Sequence, residues 1–138
     1  MTKLFVDTDI CLDLLSGRKP FNSVAEKLFS LADSGKIKIY VSSLSFSNID
    51  YVLQSQYKVI DSRTILAKFK RLVNVLAVDD KIIELAISSD FKDFEDSIQH
   101  FTAVENSLKI LLTRNLKDYE RSAIQVMNPE TFLMGDLN

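Results

Sequence analysis

The sequence predicts a three-layer α/β/α fold, with helices on both faces of a central, mainly parallel sheet of about five strands. Three features carry that expectation. Short apolar runs recur along the 138 residues, each stopping abruptly at a polar residue, as strands buried on both faces do. The stretches between them place apolar residues at helical spacing. Only three Gly and two Pro occur, which leaves little room for long loops or linkers, so residues 1–138 read as a single domain.

The first run, Lys3-Leu4-Phe5-Val6-Asp7, closes on a carboxylate, and a helix follows at once through Thr8-Asp9-Ile10-Cys11-Leu12-Asp13-Leu14-Leu15. Pro20 to Ala32 has an apolar stripe of Phe21, Val24, Ala25, Leu28, Phe29 and Ala32, with Gly35 placed to end it. Lys36 to Val41 reads as the second strand, ending on Ser42-Ser43. Leu44 to Tyr57, with Ile49, Val52, Leu53 and Tyr57, and Ser62 to Val73, with Ile65, Leu66, Phe69, Leu72 and Val73, read as helices. Val75 to Val78 is a short third strand before Asp79-Asp80, and Lys81 to Ile87 a short helix. Phe94 to Glu105 is helical through Phe94, Ile98, Phe101 and Val104, with Asp93 as its N-cap. Lys109 to Thr113 is the fourth strand, ending on Arg114-Asn115, and Ile124 to Met127 the fifth, stopped by Asn128-Pro129.

Composition excludes several classes. One cysteine, Cys11, permits neither an internal disulfide nor a cysteine-based zinc site, and fits a reducing cytoplasm. No apolar stretch approaches the ~20 residues that span a bilayer, and Asp7 comes too early for a signal peptide. The net charge of −2 gives no general attraction to nucleic acid, so any such contact needs a local patch or metal ions.

The acids at element boundaries carry the chemistry. Asp7, Asp79-Asp80, Asp96 and Asp118 all fall where strands end or helices begin. In a parallel sheet these boundaries share one edge, where ligands bind. Carboxylates gathered there repel one another, and a divalent cation with oxygen ligands removes that conflict. The plain alternative for Asp9, Asp93 and Asp96 is favourable interaction with helix N-termini.

These residues resemble a known family. Val6 to Leu15 looks like the opening of a PIN domain, a nuclease fold that includes VapC-type toxins: an aspartate ending the first strand, then Thr, then Asn or Asp, then an apolar helix. Phe91 to Gln99 resembles the family's third acidic motif, with Asp96 in the metal-binding place. Leu112 to Tyr119 resembles the fourth, with Asp118 as its acid. The motifs occur in the family's order over nearly the whole chain. The resemblance implies a PIN-like fold and Mg²⁺- or Mn²⁺-dependent hydrolysis of RNA. Asp7 and Asp96 would hold an ion, Asp118 would complete the site, and Thr8, Asn48 and Asn115 would orient waters or phosphate oxygens, while Arg114, by its own position after a strand end, suits phosphate contact. It also implies an antitoxin protein as partner and pairing into a homodimer.

One position departs from the pattern. The second family acid is a Glu early in the helix after strand two, and apolar register puts Asn48 there. Asp50 lies ~200° around the helix from Asn48 and cannot replace it. An amide in place of a carboxylate weakens a metal site, which opens a second reading: a PIN-like domain that binds RNA or a protein without cutting. A third reading rests on Asp7-Thr8-Asp9, which also resembles the nucleophile motif of haloacid dehalogenase-like phosphatases. It requires Asp79 as well, and lacks the Gly and flap that should follow Asp9. Among lesser features, His100 reads as a surface or supporting residue one helical turn from Asp96. Lys68, Lys70 and Arg71 read as a solvated face around Phe69, and Cys11 reads as a small core residue. Leu12, Leu15, Leu53 and Tyr57 suit either the core or a partner.

Overall fold

The computed structural model describes residues 1–135. Strand β1 (Thr2–Val6) leads directly into helix α1 (Thr8–Ser16), and the single residue between them, Asp7, caps the helix. Gly17 ends α1 with φ 67°, in the left-handed region that a side chain makes costly. Helix α2 (Asn22–Asp33), strand β2 (Ile37–Ser42) and helix α3 (Ser43–Ser55) follow. Ser42 caps α3 by accepting from Ser45 N, so strand again passes into helix without a loop.

Helix α4 (Ser62–Lys70) stops short of the expected Val73, because Arg71 N and Leu72 N close tight turns onto the carbonyls of Lys68 and Phe69. Strand β3 (Asn74–Leu76) is likewise shorter than Val75–Val78. It pairs only with β2, and that partner ends where Ser42 lies opposite Leu76. Helix α5 (Asp80–Ile87), helix α6 (Phe94–Glu105), strand β4 (Ile110–Leu112) and strand β5 (Gln125–Met127) match the sequence reading closely. Two elements were not anticipated: a 3-10 turn, Leu116–Tyr119, and helix α7 (Pro129–Gly135).

Every strand pairing is parallel, in the order β3-β2-β1-β4-β5. Alternate residues serve the two faces. Leu4, Val6, Ile37, Ile39, Val41, Leu112 and Met127 pack with α1, α2, α3, α4 and α7 on one side. Phe5, Leu111, Tyr40 and Val126 pack with Ala103, Leu108 and Tyr119 on the other. Helices α5 and α6 join through Ile82, Ala86 and Ile98. The three-layer arrangement with a parallel sheet is thus the one expected.

The chain winds outward from β1 to β2 and β3, then returns to β4 on the opposite side of β1. The change of direction falls between β1 and β4, where open parallel sheets hold their ligands at the carboxyl ends. Pairing of Val6 with Leu112 puts Asp7 and Thr113 side by side at this point. No helix among the described residues is long and apolar enough to cross a membrane.

Candidate functional site

Asp7 stands at the switch point because it is the first residue past β1, and its N–H still pairs with Leu112 O at 3.0 Å. Its carboxylate is only 6% exposed. Oδ1 accepts from Thr8 N at 2.7 Å, and Oδ2 accepts from the hydroxyls of Thr113 at 2.9 Å and Tyr119 at 3.0 Å. Burial, and then the charge of Asp9, push the Asp7 carboxyl up to about 7 against the pull of these donors. Tyr119 is itself held far above its ordinary range, by burial first and Asp7 next, so it stays a hydroxyl donor.

Asp96 lies in the first turn of α6, whose N-cap Asp93 accepts from Asp96 N at 2.9 Å. Burial, then the charges of Asp7, Asp93, Asp118 and Glu95, raise its carboxyl to about 8. Asp96 therefore shares one electrostatic neighbourhood with both Asp7 and Asp118. Asp118 sits exposed on the 3-10 turn and opens into a depression it shares with Asp93, Lys92 and Arg121.

On the other side of Asp7, α1 is bound to the segment leaving β4. Asp9 Oδ2 accepts from Arg114 N at 3.0 Å and, at 3.4 Å, from Asn115 Nδ2 and Thr113 Oγ1. Burial raises the Asp9 carboxyl despite these bonds. Asp13, almost fully buried, receives Arg114 through Nε at 2.8 Å and Nη2 at 3.1 Å, with Arg18 Nε 3.0 Å away. The Arg114 guanidinium also lies over the Phe21 ring, 3.9 Å from its centroid. The sequence reading gave Arg114 to phosphate; the structure commits two of its nitrogens to Asp13, which makes it first a clamp between α1 and β4.

A cleft of about 460 Å³ opens beside these residues, lined by Thr8, Asp9, Asn48, Glu95, Arg114 and Asn115, with Leu12, Arg18, Tyr51, Val52 and Gln56. Four of the anticipated residues, Thr8, Asn48, Arg114 and Asn115, thus share one cavity. Asn48 Nδ2 donates to Glu95 Oε1 at 2.7 Å, joining α3 to α6. Thr8 Oγ1 meets Ser45 Oγ at 2.8 Å, and Gln99 Nε2 donates to both. Glu95, Gln99, Ser45, Thr113 and Tyr119 were not singled out from sequence. Only Glu95 left a signal, as an acid in the first turn beside Asp96.

Other expectations resolve simply. His100 is buried rather than at the surface: it stacks between Phe91 and Phe101, and Nε2 accepts from Ala123 N at 3.1 Å. Burial lowers its pKa, so it is a neutral core group. Cys11 is a core residue and Lys68, Lys70 and Arg71 form an exposed face around buried Phe69. Leu53 is core, Leu15 packs against it, and Leu12 borders the cleft. Asp79, which the phosphatase reading required beside Asp9, instead caps α5 by accepting from Ile82 N at 3.0 Å. Its strand lies two positions from β1, roughly 10 Å away.

Among the described residues, no three His, Cys, Asp or Glu side chains are already arranged around one ion position. The donor set nonetheless suits a hard divalent cation, being carboxylate, amide and hydroxyl oxygens throughout. Burial first, and neighbouring carboxylates next, raise the Asp7 and Asp96 carboxyls, surroundings that a cation would relieve. Asp7 uses three of its ~four acceptor sites, leaving one on Oδ1.

Comparison with known proteins agrees with the fold. The sequence model described as PIN domain matches residues 3–117. Ribonuclease VapC1 of Aquifex aeolicus (strain VF5) is 28% identical over 138 residues, covering 94% of this chain and 92% of that protein. A toxin–antitoxin complex from Klebsiella pneumoniae superposes with a TM-score of 0.68 at 23% identity, over 91% of this chain and 97% of that one. DNA-bound VapBC from Salmonella typhimurium gives 0.70 at 19%, over 94% and 99%. The Mycobacterium tuberculosis toxin VapC20, which cleaves the sarcin–ricin loop, gives 0.63 at 16%, over 78% and 86%. At these identities the structural likenesses establish the fold.

Proposed function

The chain belongs to the PIN domain family, and from that premise we propose that it is a ribonuclease, hydrolysing RNA phosphodiesters with Mg²⁺ or Mn²⁺ held at the carboxyl edge of the sheet. The observation that carries this reading is Asp7. Its carboxylate, in a residue 6% exposed at the topological switch point, accepts three hydrogen bonds, feels the charge of Asp9, and has no ion-pair partner among the described residues.

In this reading Asp7 and Asp96 hold the ion and Asp118 completes the site, directly or through water. A bound divalent ion supplies Lewis acidity toward a phosphate oxygen and lowers the pKa of an attacking water. The protein's own part is orientation. Thr113 and Tyr119 fix the Asp7 carboxylate, and the Asp93 cap fixes the start of the helix that bears Asp96. Thr8, Asn48 and Asn115 line the cleft in which the scissile phosphate would lie. Arg114 holds α1 against the β4 exit and contributes its charge to that same cleft. The likeness to a named ribonuclease and to toxin–antitoxin complexes supports RNA as substrate and an antitoxin protein as partner. A cytoplasmic location and a homodimer belong to the same reading.

The test is cleavage of single-stranded and hairpin RNA with Mn²⁺ by wild type, Asp7→Asn and an Asp96→Asn, Asp118→Asn double variant. Wild type is expected to cut, and each variant to lose about 100-fold or more, equivalent to ~3 kcal/mol of transition-state stabilisation. No cutting by wild type with either ion would overturn the proposal. Asn48 favours one second reading, a PIN domain that binds without cutting. There, wild type is inert and Asn48→Glu gains activity.

A further inference from the structure

Positions 48 and 95 face each other across the cleft. Asn48 belongs to the second turn of α3 and Glu95 to the first turn of α6. The Asn48 amide donates to Glu95 Oε1 at 2.7 Å, and both residues line the same cavity as Thr8, Asp9 and Asn115. Glu95 forms no ion pair among the described residues, and its Oε2 makes no hydrogen bond there. A second feature points to an occupant. Gln99, fully buried, gives Nε2 to cleft-lining Thr8 and to Ser45, while its Oε1 has no partner among the described residues. A fully buried acceptor without a donor calls for a water or another ligand, and the Nε2 of the same amide is bonded to Thr8 in the cleft wall.

We infer that Glu95, steered by Asn48, supplies from α6 the carboxylate that α3 lacks at position 48, and that it acts on the divalent ion directly or through a coordinated water. The inference rests on the ribonuclease reading. It gives Asn48 a task other than that of a lost ligand: a neutral donor aims an acid that a carboxylate at the same place would repel.

The pair can be exchanged. Glu95→Gln keeps an oxygen that accepts from Asn48 but removes the charge. Asn48→Asp with Glu95→Gln moves the charge back to α3 and reverses the hydrogen bond. Mn²⁺ binding is measured by calorimetry and by the electron paramagnetic resonance of free Mn²⁺, with thermal unfolding of each metal-free variant as the check on folding. Loss of a group supporting a metal site typically weakens affinity about 10–100-fold, and that is the loss expected for Glu95→Gln without a lower melting temperature. The double variant is expected to recover most of it. Wild-type affinity in Glu95→Gln would overturn the inference, since a mere clasp between helices survives that change. Failure of the double variant to recover would overturn it as well. The two levels fail separately. A wild type that binds no Mn²⁺ removes the ribonuclease reading and this inference together. Binding lost in Asp7→Asn but kept in Glu95→Gln removes this inference alone.

Discussion

Asp7 makes the site costly to fold without a cation, and the sign of that cost is fixed. Its folded carboxyl titrates at about 7, above the ordinary 3.8. Between those values the folded state binds the proton more tightly than the unfolded chain. Stability therefore falls as pH rises through the interval, and the penalty is complete above about 7. Asp96, raised by burial first, extends the decline to about 8. In chemical denaturation with a chelator present, the wild type should lose stability steadily from the acid side to neutrality. Asp7→Asn should show a shallower decline and exceed wild type above about 7; parallel curves for the two proteins would contradict this. Tyr119→Phe tests the opposing pull. It removes one of the three donors that favour the ionised carboxylate, and hydrogen bonds to charged groups are worth ~1.5–3 kcal/mol. The Asp7 titration, followed by carbon NMR in metal-free protein, should move up by about one unit or more. None of this detail was legible in the sequence. Asp7 announced itself as an acid ending an apolar run, but Thr113 and Tyr119 reach it only through strand register and a 3-10 turn.

At the scale of elements, the important connection is between α1 and the exit of β4. Asp13, 1% exposed, holds Arg114 through two bonds, with Arg18 alongside. Removing one partner of a buried pair costs ~3–5 kcal/mol, and the partly exposed arginines, which can turn to water, place Asp13→Ala near the lower end. Breaking the exposed Lys81–Glu105 pair by Glu105→Ala should cost under ~1 kcal/mol. Urea unfolding of the two variants measures the contrast, and equal losses would show that the α1 clamp contributes little. Elements themselves were read well where apolar runs met abrupt polar stops, as in β1, β2 and α6. The ends of β3 and α4 were misread because their limits are set by partners: β3 stops where β2 runs out of backbone to pair. Helix α7 has its signal in Asn128-Pro129, which in sequence serves equally as the stop of β5. Asn128 Oδ1 accepts from Thr131 N at 2.8 Å with Pro129 as the first helical residue, which is how a helix begins. The Asp13 clamp gave no sign, because an aspartate within an apolar helix reads the same whether it faces water or a distant arginine.

Over the whole molecule, order along the chain and position in space separate. Asp7, Asp96 and Asp118 are far apart in sequence, and the β1–β4 switch brings Asp7 and Asp118 within electrostatic reach of Asp96, because the chain leaves β1 in one direction and returns on the other side. Asn48 and Glu95 meet only because α3 and α6 border the same cleft. A net charge of −2 then gives RNA no general reason to approach, and in the proposed reading the ion serves folding and binding together. This coupling has a thermodynamic signature. A ligand that binds only the folded state stabilises it by ~2.7 kcal/mol at a hundredfold excess over its dissociation constant, roughly 8–10 °C for a domain of this size. An ion held as proposed would bind these carboxylates only in their ionised form, and would compete with the protons that Asp7 and Asp96 retain up to about 7 and about 8. Mn²⁺ should therefore raise the melting temperature strongly above those values and hardly at all in the ordinary carboxylate range. It should flatten the decline seen with chelator, because the cation supplies the missing counter-charge. Differential scanning calorimetry across pH, with and without Mn²⁺, measures both effects. A Mn²⁺ shift of the same size at acid and alkaline pH would mean that the ion binds elsewhere on the molecule, and an Asp7→Asn variant that kept the full shift would exclude Asp7 as its anchor.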